Sequence, residues 1–270
     1  MSSQRTRRSL VAGTITASLF GITALCASVA DATPVPSPIP SYPANNGAWY
    51  TNNSTVSQVA ATVVVPNVSC FGNAVGETAG QFAGVQLYQT VGSNYGRESA
   101  VVNAYCVGHA PVYNTVFEVN DVTGMAAEFS PAGVRVNPGD VVQLNATATP
   151  SAASLSITNL STSQRASVTG EGFTADAGLL VGVGLPAANA SGGVLMSGSV
   201  PDSTASVPAI NGPVPSLPFA FLNVTADGGP LTQVSGLYSN YWTTTGTSSG
   251  QTIARVTPVV FNAFGVVFTL

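Results

Sequence analysis

Cys106 and His109 stand three residues apart in the stretch AYCVGHAPVYNTVFEV, and His109 is the only histidine of the chain. A histidine beside a cysteine can take the proton of the thiol and leave a nucleophilic thiolate. That chemistry requires a free sulfur. Whether Cys106 is free depends on the compartment in which the protein folds, and the beginning of the chain carries evidence about that compartment.

The beginning of the chain has the pattern of an export signal. Three arginines lie within the first eight residues, residues 10–26 form an apolar run, and small residues follow as far as Ala32. This order is typical of a signal peptide, and the run is too short for a membrane span. The stretch TRRSLV also resembles a twin-arginine leader, so both export routes stay open. We predict that residues 1–32 are a signal peptide and that the mature protein is secreted without a membrane anchor.

Removal of this leader leaves Cys70 and Cys106 as the only cysteines. In an oxidising compartment such a pair is first interpreted as a disulfide. We therefore predict a Cys70–Cys106 bridge instead of a catalytic thiol, and His109, just before Pro111, is predicted to be a loop residue. One histidine and a bridged cysteine pair cannot fill a zinc shell, so neither a metal site nor another cofactor is predicted.

The charge of the chain is sparse and acidic. It carries 7 basic and 11 acidic residues out of 270, and every basic residue is an arginine. This balance argues against nucleic acid and against anionic membranes as partners. A surface built from Ser, Thr, Asn and Gly also has few ion pairs to lose when carboxylates become protonated, so we expect the fold to tolerate acid.

The remaining sequence has the pattern of an all-β protein. Residues 33–44 alternate proline with other residues, which predicts an extended spacer, and residues 45–270 are predicted to form one domain. Short segments rich in Val, Thr, Phe and Tyr alternate with turn signals, while helical periodicity is absent. The predicted strands are 56–65, 81–89, 99–107, 113–119, 141–149, 154–160, 179–183, 218–225 and 259–269.

Strands of this length and spacing predict a jelly-roll β-sandwich of two antiparallel sheets. The stretch 184–217, rich in Ala, Ser, Gly and Pro, is predicted to be a long surface excursion from that sandwich. The elements alone therefore predict a secreted, acid-tolerant β-sandwich and no particular chemistry.

The order of several motifs resembles the glutamic peptidases, or eqolisins. VAATVVVP (59–66) is similar to an early family strand, with Trp49 upstream of it. VNPGDVV (136–142) is similar to the family's Pro-Gly-Asp turn, LSITNLSTSQ (155–164) to the strand and turn that follow, and LPFAFLNVT (217–225) to a late core strand. The resemblance implies a sandwich whose concave face carries a glutamate, as general base on a water, and a glutamine, as donor to the oxyanion.

The position of the family's glutamine is altered in this sequence. In NTVFEV, Glu118 matches a glutamate of one family strand, and counting back from it places the catalytic glutamine at Asn103. Asparagine keeps the amide but is one methylene shorter, which withdraws the donor by about 1.5 Å. Gln89 in YQTVG is the alternative amide, although it lies too many residues before Glu118. Under this alignment, AYCVGHAPVYNTVFEV is the loop between two sheet strands.

The position of the catalytic glutamate is altered as well. It aligns with Gly178 in AGLLVG, and glycine supplies no base. Glu171, seven residues earlier in a predicted turn, is the alternative carboxylate, and Gln86 in FAGVQL takes the place of a family aspartate. The resemblance thus implies Asn103, Glu118, Gln89 and Glu171 as catalytic candidates, and Gln86, Asn103, Glu118 and Gly178 as binding positions.

Three functional hypotheses follow. The first is an eqolisin-fold protein that has lost its catalytic pair and binds an extended polypeptide in the concave groove, as a monomer. The second is an active acid endopeptidase whose base and amide donor have shifted to other candidates. The third is a carbohydrate-binding sandwich that stacks sugars on Tyr238, Tyr241 and Trp242 in LYSNYW, residues otherwise interpreted as a strand edge.

Overall fold

A computed structural model describes the chain from residue 39 to residue 269 with gaps. The described ranges are 39–44, 47–52, 54–71, 78–91, 94–120, 128–170, 178–184, 186–188, 194–196, 219–243 and 249–269. The predicted signal peptide, most of the predicted spacer and the candidate Glu171 lie outside these ranges. Within them, no helix has the length and apolar character needed to cross a membrane.

The described residues are almost entirely β, as the sequence predicts. A 3-10 turn at Leu231–Gln233 is the only helical element among them. The strands are β1 Ser41–Ala44, β2 Gly47–Thr51, β3 Gln58–Val64, β4 Thr78–Val91, β5 Asn94–Val107, β6 Ala110–Asn120, β7 Glu128–Pro131, β8 Val141–Ala148, β9 Ala153–Asn159, β10 Gln164–Gly170, β11 Gly178–Gly184, β12 Pro186–Ala188, β13 Val194–Met196, β14 Phe219–Ala226, β15 Gly229–Pro230, β16 Tyr238–Thr243, β17 Thr252–Val256 and β18 Phe264–Phe268.

Apart from β12 and β13, which pair only with each other, these strands form the two layers of a sandwich. One layer has the order β10-β9-β8-β3-β14-β18, and the other has the order β16-β2-β11-β4-β5-β6-β7. Strand β17 pairs with both β18 and β16, so the ladder of hydrogen bonds continues from one layer into the other. All of these pairings are antiparallel, whereas β1, at the end of the predicted spacer, pairs with β16 in parallel. The prediction of an antiparallel β-sandwich is confirmed.

The core lies between the two layers. Alternate residues of a strand point to opposite faces, so each central strand sends every second side chain inwards. The inward side chains of β3 and β8 include Val59, Val63 and Leu144, and those of β4 and β11 include Leu87 and Val181. This alternation fixes which side of β4, β5 and β6 faces the core and which side faces away from it. We call these sides the inner and the outer face.

Two expectations about the Cys106 region have different outcomes. The disulfide Cys70–Cys106 is confirmed, and with a sequence separation of 36 it contributes about 3 to 4 kcal/mol on the chain-entropy estimate. The loop expected between two strands is instead a tight hairpin. Strand β5 ends at Val107 and β6 begins at Ala110, with Gly108 at a φ of 56° in the turn. His109 lies exposed in that turn.

Candidate functional site

The outer face of β4, β5 and β6 carries a row of polar side chains. Gln86 of β4 is in direct register with Ser99 of β5, and Ser99 is in register with Glu118 of β6. Residues in register on antiparallel strands point to the same face, so all three belong to the outer face. All three are also buried. An apolar pair, Phe82 and Val101, packs further along the same face.

Arg97 and Glu118 form a buried ion pair beside this row. The Arg97 side chain donates through Nε and a terminal nitrogen to Glu118 Oε1, and both residues are at most 3% exposed. Within the described part of the chain, Glu118 Oε2 has no hydrogen-bond partner. Burial raises the pKa of Glu118 to about 7, although the Arg97 guanidinium opposes that rise. The carboxylate is therefore held by a cation and shielded from solvent.

Glu98 lies next to this pair but on the inner face. It is in register with Leu87 and Val119, and it is 1% exposed. Among the described residues, Glu98 Oε2 has no hydrogen-bond partner. Burial raises the pKa of Glu98 to about 8, and the charge of Glu118 raises it further. Adjacent residues of one strand thus present an arginine outwards and a carboxyl inwards.

Tyr88 fills the space beside Gly178. The two residues are in register, and a Cβ atom on Gly178 would lie 2.6 Å from Tyr88 Cζ and 2.8 Å from its hydroxyl oxygen. The Tyr88 hydroxyl donates to the Asn52 carbonyl at 2.6 Å and lies 3.2 Å from Thr51 Oγ1. Burial raises the pKa of this phenol, so it stays neutral. Nothing larger than glycine fits at position 178 while Tyr88 stands there.

The end of β2 holds this arrangement in place. Thr51 Oγ1 donates to the Leu179 carbonyl at 2.7 Å, and the Leu179 N–H donates to Asn52 Oδ1 at 2.8 Å. The side chains of Thr51 and Asn52 thus replace ladder hydrogen bonds where β2 ends beside β11. Three hydrogen bonds among β4, β11 and the end of β2 thus position the Tyr88 ring beside Gly178.

A second glycine on the outer face, Gly182, makes room for Trp49. A Cβ atom on Gly182 would lie 2.5 Å from Trp49 Cβ, and one on Gly47 would lie 2.1 Å from the Trp49 ring. The indole therefore lies along β2 and over the groove left by these glycines. Trp49 and Leu180 are half-buried, so they contribute accessible apolar surface to the outer face.

The structure does not bring Asn103 close to the other candidates. Asn103 is in register with Phe82 and Asn114, and its amide nitrogen donates to Asn114 Oδ1 at 2.8 Å. The residue in register with Glu118 is Ser99, four positions away along β5, which is about 13 Å at the usual strand rise.

The aligned pair Asn103 and Gly178 is even more widely separated. Gly178 is in register with Tyr88, and Tyr88 with Arg97, which is six positions from Asn103, or about 20 Å along the sheet. A base and a donor at these two positions could not reach one water. Gln89 has the same parity as Leu87 and so belongs to the inner face, away from Glu118.

Sequence reasoning missed Arg97, Glu98 and Ser99 as site residues. The signal for them is the run RES directly before the apolar residues AVV, because three consecutive polar residues in a buried strand are rare unless they are paired. The predicted strand begins only at residue 99, whereas β5 extends from Asn94.

Tyr238 and Tyr241, two members of the aromatic group on β16, do not form a shared stacking surface. Tyr238 and Tyr241 are three residues apart on one strand and so point to opposite faces. The Arg255 guanidinium lies 5.2 Å from the centre of the Tyr241 ring. The expected strand edge is also wrong, because β16 pairs with β1, β2 and β17. The side chain of Trp242 lies outside the described residues.

The described ranges contain no group of three or more His, Cys, Asp or Glu residues placed to hold a metal ion. The outer face itself presents a carboxylate, a guanidinium, a hydroxyl and amides. Such a set can bind peptide groups through hydrogen bonds, and a carboxylate free of Arg97 could act as a base.

Comparisons with known proteins agree with this architecture. Residues 44–181 match the model of the Peptidase A4 family. The structure is similar to scytalido-glutamic peptidase in complex with a transition state analog inhibitor, with a TM-score of 0.54 and 16% identity over 84% of this chain and 98% of that one. It is also similar to SCP-B, a member of the eqolisin family in complex with the tripeptide Ala-Ile-His, with a TM-score of 0.53 and 14% identity over the same shares. No curated protein matches the chain. Because the family model covers more than half of the sequence, the chain belongs to the Peptidase A4 family, the eqolisins.

Proposed function

We propose that this protein is a secreted eqolisin that binds an extended polypeptide without cleaving it. The observation that carries the proposal is the Tyr88 ring beside Gly178. The resemblance places the catalytic glutamate at Gly178, and Tyr88 occupies the volume that its side chain would need. The position has therefore lost both the carboxylate and the space for it.

The neighbouring carboxylate is a poor substitute for the missing base. A general base must reach a water that also contacts the substrate. Glu118 is fully buried, and Arg97 holds one of its oxygens. Its register partner Ser99 carries a hydroxyl, and Asn103 is about 13 Å away along β5. Among the described residues, Glu118 and the amide of Asn103 therefore do not converge on one point.

The same face keeps groups that suit an extended peptide. Leu180 and Trp49 supply half-exposed apolar surface, and the half-buried Asn240 places an amide side chain beside Trp49. Asn240 is in register with Trp49. An apolar surface flanked by amides can take alternate side chains and peptide groups of an extended strand. The related peptidases bind a transition state analog inhibitor and a tripeptide.

Export is part of this proposal. A disulfide persists in oxidising compartments, and Cys70–Cys106 is formed in this protein. The leader pattern of residues 1–32 supports the same location. We further propose that the protein acts as a monomer, which sedimentation of the purified protein can test.

A digestion experiment tests the absence of cleavage. The purified protein is incubated with an acid-denatured protein substrate between about pH 3 and pH 6, and the products are analysed by mass spectrometry beside a heat-killed control. We expect no specific cleavage while circular dichroism reports an intact fold. Specific cleavage by the folded protein, removed by heating, would contradict the proposal.

A binding experiment tests the positive half of the proposal. Fluorescence anisotropy with a library of labelled extended peptides should find ligands whose affinity falls about tenfold in Leu180→Ser, which removes apolar contact surface. Leu222→Ser is the matched control, because Leu222 is an exposed leucine on β14 in the other layer. Equal affinities in both variants, or no binding by any peptide, would overturn this function.

A second candidate is an active acid endopeptidase that uses Glu118 as base and Gln86 as donor. It is favoured by their position in one row and by the unpartnered Oε2 of Glu118 among the described residues. In that case the digestion assay should give cleavage that falls by about 10² to 10⁴ in Glu118→Gln. Cleavage that persists in this variant would exclude Glu118 as the base.

A further inference from the structure

Glu98 has no cation to neutralise it. The chain contains no lysine, and all four arginines that follow residue 38 lie in the described part of the structure. Arg97 pairs with Glu118 on the opposite face of the sheet, and the other three are exposed: Arg135, Arg165 and Arg255. The sole histidine, His109, is exposed in the β5–β6 turn. A buried carboxylate without a counter-ion is costly, so the carboxyl must be neutral or the surrounding structure must give way.

Glu98 lies where the two layers meet. Gly170, the last residue of β10, belongs to the opposite layer, and a Cβ atom on it would lie 3.2 Å from Glu98 Oε1 and 2.9 Å from Val119 Cγ1. A glycine at the end of β10 therefore lets that strand approach the carboxyl. Any side chain at position 170 would press on Glu98 and Val119.

No other described group offers Glu98 a compensating charge. Its register neighbours are Leu87 on β4 and Val119 on β6, and β11 places Leu179 in register with Leu87. The only charged side chains near it on β5 and β6 are Arg97 and Glu118, and Glu118 repels an ionised Glu98.

We infer that Glu98 is a protonation switch: when its carboxyl is neutral, the end of β10 packs against β5 and β6, and when it ionises, this end of the sandwich opens. The ionised carboxylate can become hydrated only if water enters between Gly170 and Val119. Arg97 and Ser99 flank Glu98 on β5, so the opening disturbs the outer-face row as well. The switch concerns the fold and does not depend on the proposed function.

The raised pKa of Glu98 agrees with this geometry and places the change on the alkaline side of neutrality. The Glu118 carboxyl titrates in a neighbouring range, so the two must be separated experimentally. Variants of each residue allow that separation.

Hydrogen exchange measured by mass spectrometry tests the switch. The purified full chain is labelled at about pH 5 and about pH 9, and rates are corrected for intrinsic exchange. In the wild type, peptides covering β10 and the centre of β5 should lose protection by about tenfold or more at the higher pH. In Glu98→Gln this loss should disappear, whereas Glu118→Gln should retain it.

Glu171→Gln is the matched control, because Glu171 is the next acidic residue after Gly170 in the sequence. It should behave as the wild type does. Equal wild-type protection at both pH values, or the same loss in Glu98→Gln as in the wild type, would overturn the inference. A loss that disappears in Glu171→Gln and persists in Glu98→Gln would also overturn it.

Infrared difference spectroscopy gives a readout that does not require the Glu98 variant to fold. In Glu118→Gln, which removes the other buried carboxyl of this region, the carbonyl band of a protonated, buried carboxyl should be present at neutral pH, and it should disappear together with the protection of β10. Absence of the band in folded protein at neutral pH would contradict the switch.

Discussion

A buried carboxyl group lies on each face of the sheet at β5, and one of them has a cationic partner while the other has none among the described residues. On the outer face, Glu118 of the neighbouring strand is paired with Arg97. On the inner face, Glu98 sits between Leu87 and Val119 without a cation among the described residues. Both carboxyls are almost fully buried, so burial alone does not distinguish them. The comparison teaches that the partner decides the charge state: a paired carboxyl can remain ionised, and an unpaired one must hold its proton.

Removal of Arg97 should leave the outer face, like the inner face, with a buried carboxyl that has no cation beside it. In Arg97→Ala, Glu118 becomes a buried carboxyl without a partner, and breaking such a pair costs about 3 to 5 kcal/mol. Urea denaturation at about pH 8, above the pKa of Glu118, should show this loss in the free energy of unfolding. In an Arg97→Ala variant that also carries Glu118→Gln, the loss should be smaller. If Arg97→Ala alone were as stable as the wild type, the ion pair would contribute nothing to stability.

Glu98→Gln should remove the pH dependence of stability that the buried Glu98 carboxyl causes. The pKa of Glu98 is raised to about 8 in the folded state, above its unfolded value, so the folded protein holds the extra proton between about pH 4.5 and pH 8. The free energy of unfolding is therefore greatest at and below about pH 4.5, and it falls as the pH rises towards about pH 8. The fall should reach about 5 kcal/mol at most.

Denaturation of the wild type and the variant at a series of pH values measures this effect. We expect a flatter profile for Glu98→Gln, in which only the fall that Glu118 causes remains, whatever the absolute stability of the variant. The direction agrees with the acid tolerance expected from the sparse surface charge. A wild-type protein that gains stability from about pH 5 to pH 8 would contradict the account.

Gly178→Ala tests how tightly the outer face is packed around Tyr88. The new methyl group would lie within 2.6 Å of the Tyr88 ring, and overpacking of this kind costs about 1 to 3 kcal/mol. The control is Gly265→Ala on β18, where the closest contact of a Cβ atom would be 3.4 Å. Thermal unfolding of the two variants should separate them clearly. Equal costs would mean that Tyr88 moves freely and that position 178 remains open to a side chain.

Tyr88→Phe should have the smallest effect. It removes the hydrogen bond from the phenol to the Asn52 carbonyl but keeps the ring beside Gly178, so about 1 kcal/mol should be lost. The binding assay should be unchanged in this variant. A loss of several kcal/mol would show that the hydroxyl network, more than the ring, organises this end of β2 and β11.

Part of the fold could be predicted because it follows from local patterns. The strands β3, β8 and β9 show alternating burial, and the sequence predicts each of them within a few residues. The disulfide was predicted from the cysteine count together with the predicted export signal, and it is present in the structure. Strands such as β2 and β17 were missed, because their short sequences become strands only through pairing with neighbours.

The candidate site could be predicted only in part, because residue types alone do not give the register of β5 against β6. Counting back from Glu118 with the family's spacing led to Asn103, but the two-residue turn at Gly108 and His109 places Ser99 opposite Glu118. Turn length sets hairpin register, and a shift of four residues moves a side chain by about 13 Å. No inspection of single positions could supply that correction.

The sequence by itself determined the all-β class, the disulfide and the resemblance to the eqolisins, since these depend on residue types and their order along the chain. It also determined the scarcity of cations, because a chain without lysine has few groups with which to neutralise a buried carboxyl. Only the tertiary structure decided that Arg97 pairs with Glu118 and leaves Glu98 without a cation among the described residues. Likewise, only the tertiary structure placed Tyr88 beside Gly178. The physical reason is that face and register are properties of strand pairing, and pairing joins residues far apart in the chain.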